Sequence, residues 1–180
     1  MRTICSTRCC DLIALACHPD SRPGADLRVF AQASRSGPSV RVRYSLEGDL
    51  ARLRLAPPRP PRPAERLWQH SCCELFVARK GLPAYHEFNF SPSGEWAAYA
   101  FTDYRQGGPL AVQDPGIAVQ AAERKLELAA CVNVAFGEQL VLGLCAVLED
   151  GQGRLSYWAL RHAPGKPDFH HRDSFALELA

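Results

Sequence analysis

The chain has 180 residues, a formal charge of +2 from 21 Lys and Arg against 19 Asp and Glu, and 47% hydrophobic content. That is enough for one domain with a sizeable core. Its scattered arginines form no block that would steer nucleic acid. No apolar run approaches the roughly 20 residues of a membrane span, and Leu12 to Cys17 falls short of the about 7–15 residues of a secretory core. A cytoplasmic location without membrane or nucleic-acid partners is therefore expected, with the eight cysteines as reduced thiols.

In chain order, residues 1–11 are expected to form a frayed terminus, with a single domain over 12–180. Leu12 to Cys17 is the first predicted strand, followed by turns at His18-Pro19-Asp20 and Arg22-Pro23-Gly24 and a second strand over Leu27 to Ala33. After a turn at Ser36-Gly37-Pro38, Val42, Tyr44 and Leu46 alternate with Arg41, Arg43 and Ser45, the pattern of a strand buried on one face. Glu47-Gly48-Asp49 breaks it, and Leu53 and Leu55 continue with Arg52 and Arg54 facing water. The run APPRPPRP over 56–63 cannot pair as a central strand, because proline lacks the amide donor. It is predicted to be an extended, stiff connector that delivers Trp68 to the sheet.

The stretch from Arg66 to Arg105 holds two of the three tryptophans. Alternation from Ser71 to Arg79, a turn at Gly81 and Pro83, a strand over Tyr85 to Phe90, a tight Ser91-Pro92-Ser93-Gly94 connection and a strand over Trp96 to Thr102 predict a three-stranded antiparallel meander. Because successive side chains point to opposite faces, His86, Phe88 and Phe90 share one face and Tyr85, Glu87 and Asn89 the other. Glu87 and Asn89, with Glu74 on the neighbouring strand and the Trp68 indole, suit a polyhydroxylated ligand: sugar C–H faces stack on rings while hydroxyls bond to carboxyls and amides. A half-solvated sheet face is also normally polar, and Trp68 could equally cover an edge.

Gln106-Gly107-Gly108-Pro109 is predicted to open a loop running to Pro115-Gly116, and Ala118 to Glu127 is the one, weak, helical candidate. Leu126 to Val132 alternates as a strand, Leu142 to Leu148 is apolar enough to be buried on both faces, and Leu155 to Leu160 carries Tyr157 and Trp158 after a turn at 150–153. His162 to His171 then forms a histidine-bearing loop. Three histidines with Asp168 could ligate a metal, but their spacing matches no ligand motif, and no CxxC occurs, so no metal is expected. His162 and Asp168 are read instead as rigidifying a loop that closes over ligand. Short strands separated by turns throughout favour an all-β antiparallel sandwich.

The segments LWQHSCCELFVA, YHEFNFSPSGEWAAYAFTDYR and SYWALRHAPGKPDFHHRDSF together resemble the DOMON-like domain family, related in fold to family 9 carbohydrate-binding modules. The resemblance implies a β-sandwich of immunoglobulin-like jelly-roll architecture with a non-catalytic site. In it two tryptophans sandwich a sugar, a glutamate follows the first by six residues, and polar residues stand on the next strand. Trp68 and Glu74 keep that spacing, Glu87 and Asn89 take the strand positions, and Trp158 is similar to the second tryptophan. The expected function is a small-ligand-binding domain holding a carbohydrate-like ligand between Trp68 and Trp158. Glu74, Glu87, Asn89 and His70 would bond to it, with His162, Asp168 and His171 in the loop wall and no cofactor. Alternatives are a glycoside-type hydrolase or transferase using Glu74 and Glu87, whose carboxyls would need about 5–5.5 or 6.5–9.5 Å separation, and a haem-binding or redox DOMON domain. Met1 is the sole methionine, leaving bis-histidine ligation for the last.

Overall fold

A computed structural model describes residues 12–21, 23 and 26–179. The expected frayed terminus over 1–11, together with Arg22 and Gly24 of the second turn, lies outside the described residues. The described chain is all-β. Its strands are β1 (Ile13–Cys17), β2 (Leu27–Ser36), β3 (Ser39–Gly48), β4 (Cys72–Arg79), β5 (Tyr85–Phe90), β6 (Trp96–Asp103), β7 (Gln106–Pro109), β8 (Ala118–Ala122), β9 (Lys125–Asn133), β10 (Leu140–Glu149), β11 (Leu155–Ala159) and β12 (Leu177–Leu179).

These strands pair in the order β7-β6-β5-β4-β10-β11-β1-β2-β3-β9-β8, with β12 on β10, and every pairing is antiparallel. The ladder folds back at β1, which meets β11 through Ala16 and Cys17 and β2 through Ile13 to Leu15. Two layers result. Their inner faces interdigitate: Leu75, Val77, Phe88, Leu142, Leu144 and Trp158 of one pack with Val29, Ala31, Val42, Tyr44 and Leu128 of the other. The alternation legible in β3 and β9 reappears as alternating burial, which β2 shows as well.

β10 is buried on both faces, as its unbroken apolar run predicts. The reason is a second apolar cluster on the outer side of its layer, where Phe76, Tyr85, Cys145, Val147 and Ala159 meet Phe169 and Phe175 of the C-terminal segment. Gly143 eases that covering: a Cβ there would stand 3.3 Å from both Phe76 Cβ and the Ser174 carbonyl, so its neighbours would have to give by a few tenths of an ångström.

Three expectations are corrected. Gln106–Pro109 is the edge strand β7, not the start of a loop; at Gly107 a Cβ would fall 2.0 Å from the Ala100 carbonyl, a close approach that only glycine permits. Ala118 to Glu127 is no helix. It turns between β8 and β9, and β9 pairs with β3 along its length, so tertiary pairing overrides a weak local preference. Leu53 to Leu55 does not continue β3: a 3-10 turn over Leu50–Arg52 intervenes, and only Leu53 bridges, to Asp150.

The proline-rich connector runs beside the β5–β6 hairpin. The Arg59 amide donates to the Ser93 carbonyl and the Trp96 amide to that of Arg62, and Arg62 and Arg59 reach the Glu95 carboxylate at 2.8 and 3.7 Å. It ends in a 3-10 turn, Leu67–Gln69, entered through Arg66 at φ 57, and this turn carries Trp68.

Candidate functional site

The cavity lies on the outer face of the β6-β5-β4-β10-β11 layer and measures about 390 Å³. Strand alternation decides what faces it. β4 contributes Glu74 and Phe76, β5 Glu87, β6 Tyr99 and Phe101, β10 Val147 and β11 Tyr157. Trp68 stands at one side, 47% exposed, and Pro167, Asp168, Phe169 and His170 roof the other, with Arg105 at the rim.

The floor is acidic. Glu74 and Glu87 are 3% and 4% exposed, on adjacent strands whose register sets Glu74 opposite Asn89 and Phe76 opposite Glu87, a diagonal pair. Glu87 Oε1 accepts a 2.7 Å hydrogen bond from the Asn89 amide. Glu74 Oε1 receives only the Cys72 thiol, at 3.4 Å. Burial, and then the neighbouring Glu87, push the Glu74 carboxyl well above the usual carboxylate range. Burial raises Glu87 as well, against the lowering effect of the Asn89 bond and Arg105. The same burial lifts the Cys72 thiol, so it is no nucleophile at neutral pH.

The roof is held by a chain of bonds from the turn after β6. Arg105 Nη2 donates to Asp168 Oδ1 at 2.9 Å, the Tyr104 hydroxyl to Asp168 Oδ2 at 2.6 Å, and the His170 amide to Oδ1 at 3.1 Å. Burial would raise the Asp168 carboxyl, but the Tyr104 and Arg105 bonds together hold it below its ordinary value. The Tyr85 hydroxyl accepts the Arg105 amide proton at 3.1 Å and lies 2.8 Å from His170 Nδ1. With Tyr85 donating to Nδ1, the His170 proton sits on Nε2, which faces Glu87 Oε2 at 3.6 Å. Burial and then Arg105 lower His170 to about 4, so the imidazole is neutral at pH 7. The 3.6 Å separation exceeds a hydrogen bond and is too short for an atom to stand between the two groups.

Of the residues singled out in the sequence, the cavity brings together Trp68, Glu74, Glu87 and Asp168, with Asn89 fully buried behind Glu87. It does not bring in Trp158, His70, His162 or His171. Trp158 is 5% exposed in the inter-layer core, its Nε1 donating to Ser156 Oγ at 3.0 Å. Being one residue from Tyr157 it must face the other way, so the expected sandwich of one ligand between Trp68 and Trp158 is replaced by Trp68 and Tyr157 on one cavity. His70 bonds Glu149 Oε2 at 2.7 Å. His162 Nε2 bonds the Ala16 carbonyl at 2.8 Å, and His171 Nδ1 accepts the Asp173 amide and caps the 3-10 turn Arg172–Ser174. The loop histidines therefore point to three different places. Among the described residues no group of three or more His, Cys, Asp or Glu is arranged to hold a metal ion.

Several lining residues escaped the sequence reading. Tyr99 and Phe101 share the outward parity of Glu87 across the hairpin, so the register Glu87–Tyr99 could have marked them. Arg105 and His170 lie in turns and carry no periodic signal.

No family model and no curated protein matches the chain by sequence. Solved structures do match in shape. A Bacteroides uniformis protein described as a "putative carbohydrate-binding protein" aligns with a TM-score of 0.65 at 16% identity, over 92% of this chain and 83% of that one. A family 9 carbohydrate-binding module from Caldicellulosiruptor kristjanssonii in complex with cellotriose aligns with a TM-score of 0.56 at 8% identity, over 86% and 74%. A module of the same family and organism in complex with glucose gives 0.53 at 9%, over 91% and 82%. At these identities the likeness is one of fold: the chain is similar to carbohydrate-binding β-sandwiches.

Proposed function

We propose that the protein is a non-catalytic carbohydrate-binding domain of the DOMON-like kind, taking a monosaccharide or the end of a short oligosaccharide into the cavity on its outer sheet face. The observation that carries this reading is a cavity of about 390 Å³ in which aromatic rings (Trp68, Tyr99, Phe101, Tyr157) surround two carboxyls. Neighbours in fold are modules solved with glucose and cellotriose. Rings supply stacking surfaces for sugar C–H faces, and the carboxyls, the neutral His170 and Arg105 supply directional bonds. Clamping of Arg105 to Asp168 and of His170 to Tyr85 prepares the roof before ligand arrives, which lowers the ordering cost of binding.

Calorimetric titration of the purified chain with glucose, cellotriose and a panel of other sugars tests this. Saturable binding that quenches tryptophan fluorescence and is weakened about tenfold in Trp68→Ala is expected; absence of binding across the panel overturns the reading. One observation favours hydrolysis instead: Glu74 and Glu87 face one cavity from adjacent strands and burial raises both carboxyls, so one can hold the proton that a general acid donates. Turnover of aryl glycosides that disappears in Glu74→Gln would establish that second reading.

A further inference from the structure

The described chain buries four glutamates, and they are treated differently. Glu95, 6% exposed, receives Arg62 at 2.8 Å with Arg59 beside it, and Glu149, 4% exposed, receives Arg54 at 2.9 Å and His70 at 2.7 Å. Glu74 and Glu87 are as deeply buried, on one face of adjacent strands, yet neither has a guanidinium or ammonium partner among the described residues. The near cation, Arg105, is bonded to Asp168, and His170 stands 3.6 Å away as a neutral ring. Elsewhere the fold gives each buried glutamate a cation; this pair has none and holds protons instead, so a ligand cation is the counter-charge that would let it ionise. The cavity opens onto this pair, and the rings of Trp68, Tyr99, Phe101 and Tyr157, whose faces attract cations, share its lining with Asp168 and the Arg105 that Asp168 binds.

We infer that the ligand is an amine-bearing sugar, its ammonium set against Glu74 and Glu87 within the ring of Trp68, Tyr99, Phe101 and Tyr157. This rests on the carbohydrate reading above and narrows it. An ammonium brings three donors and one positive charge to two carboxyls that have free acceptor capacity, where a neutral hydroxyl brings one donor and no charge. Acetylation of the amine removes the charge and adds bulk, so an N-acetylated sugar loses the advantage.

Calorimetric titration with glucosamine, glucose, N-acetylglucosamine and ethanolamine at neutral pH tests the inference on the unaltered protein. One charge-assisted contact corresponds to about a tenfold gain. Glucosamine is therefore expected to bind about tenfold or more tightly than glucose and N-acetylglucosamine, with ethanolamine weaker than glucosamine. Glu74→Gln and, separately, Glu87→Gln should lower glucosamine affinity about tenfold more than they lower glucose affinity, which removes the preference. Equal or tighter binding of glucose overturns the amine inference and leaves the carbohydrate reading standing. Ethanolamine binding as tightly as glucosamine, or no binding of glucosamine, likewise overturns the amine-sugar inference; the carbohydrate reading falls only if the wider sugar panel with cellotriose is silent too.

Discussion

The two faces of the β6-β5-β4-β10-β11 layer are built from the same strands one residue out of step, and they behave as different materials. Inward, Leu75, Val77, Phe88, Leu144 and Trp158 form an apolar surface against the second layer. Outward, Glu74, Phe76, Glu87 and Asn89 mix carboxyls, an amide and a ring at similar depth, with the half-buried Tyr157 beside them. Depth alone therefore does not separate core from site here. What separates them is whether buried polar groups have partners: the inner face has almost none to satisfy, and the outer face holds two carboxyls that only a thiol and an amide reach. Such a face is a poor way to gain stability and a good way to present polar groups to a ligand.

The sharpest break of this comparison is at β11. Trp158→Ala leaves a large void in the inter-layer core, and unfolding in urea is expected to show a loss of about 3–5 kcal/mol. Trp68→Ala, at a residue nearly half exposed, should cost under about 1 kcal/mol of stability but reduce sugar affinity about tenfold, read by calorimetry. A reversed outcome, with Trp158→Ala stable and unable to bind, would return Trp158 to the site.

Next comes the pH dependence. Glu74 and Glu87 are raised above the ordinary 4.5, so the folded state holds protons that the unfolded chain has released. Their contribution to stability is full below about 4.5 and falls as pH rises through their folded values. His170 acts oppositely. Lowered from 6.5 to about 4, it makes stability fall as pH drops from 6.5 toward 4, because the unfolded chain takes up the proton first. The two trends oppose each other where they overlap above 4.5. Melting temperatures of the Glu74→Gln, Glu87→Gln double variant should therefore decline less with rising pH than those of the unaltered protein, and His170→Gln should flatten the acid side.

The smallest effect is expected at His70, whose side chain is 65% exposed beside Glu149. His70→Ala should cost under about 1 kcal/mol in urea and leave sugar affinity unchanged. A loss of binding there would extend the site beyond the cavity.

Much of the fold was legible in the residues. Alternation over Val42 to Leu46, the apolar run over Leu142 to Leu148 and the turn-bounded meander from Ser71 to Thr102 name most strands of both layers, because a two-residue period and a turn are local properties. β7, β8 and β12 were missed: Gln106–Pro109, Ala118–Ala122 and Leu177–Leu179 are short strands that exist through the neighbour they pair with. Of the site, the shared face of Glu87 and Asn89 and the nearness of Glu74 could be read directly.

The sequence by itself determined that Tyr157 and Trp158 face opposite ways, that Glu87 and Asn89 face the same way, and that a proline-rich connector precedes Trp68. Only the tertiary structure decided which of those faces became core. Parity along a strand is set by backbone geometry, but its sign is set by the layer that packs against it. β1 closes the ladder into a sandwich on the side of Trp158, and the segment from Leu160 to Ala176 covers the side of Tyr157. Arg105, Asp168 and His170 meet over the cavity for the same reason: they are 63 and 65 positions apart in sequence and are joined by bonds that form only once the roof lies on the sheet.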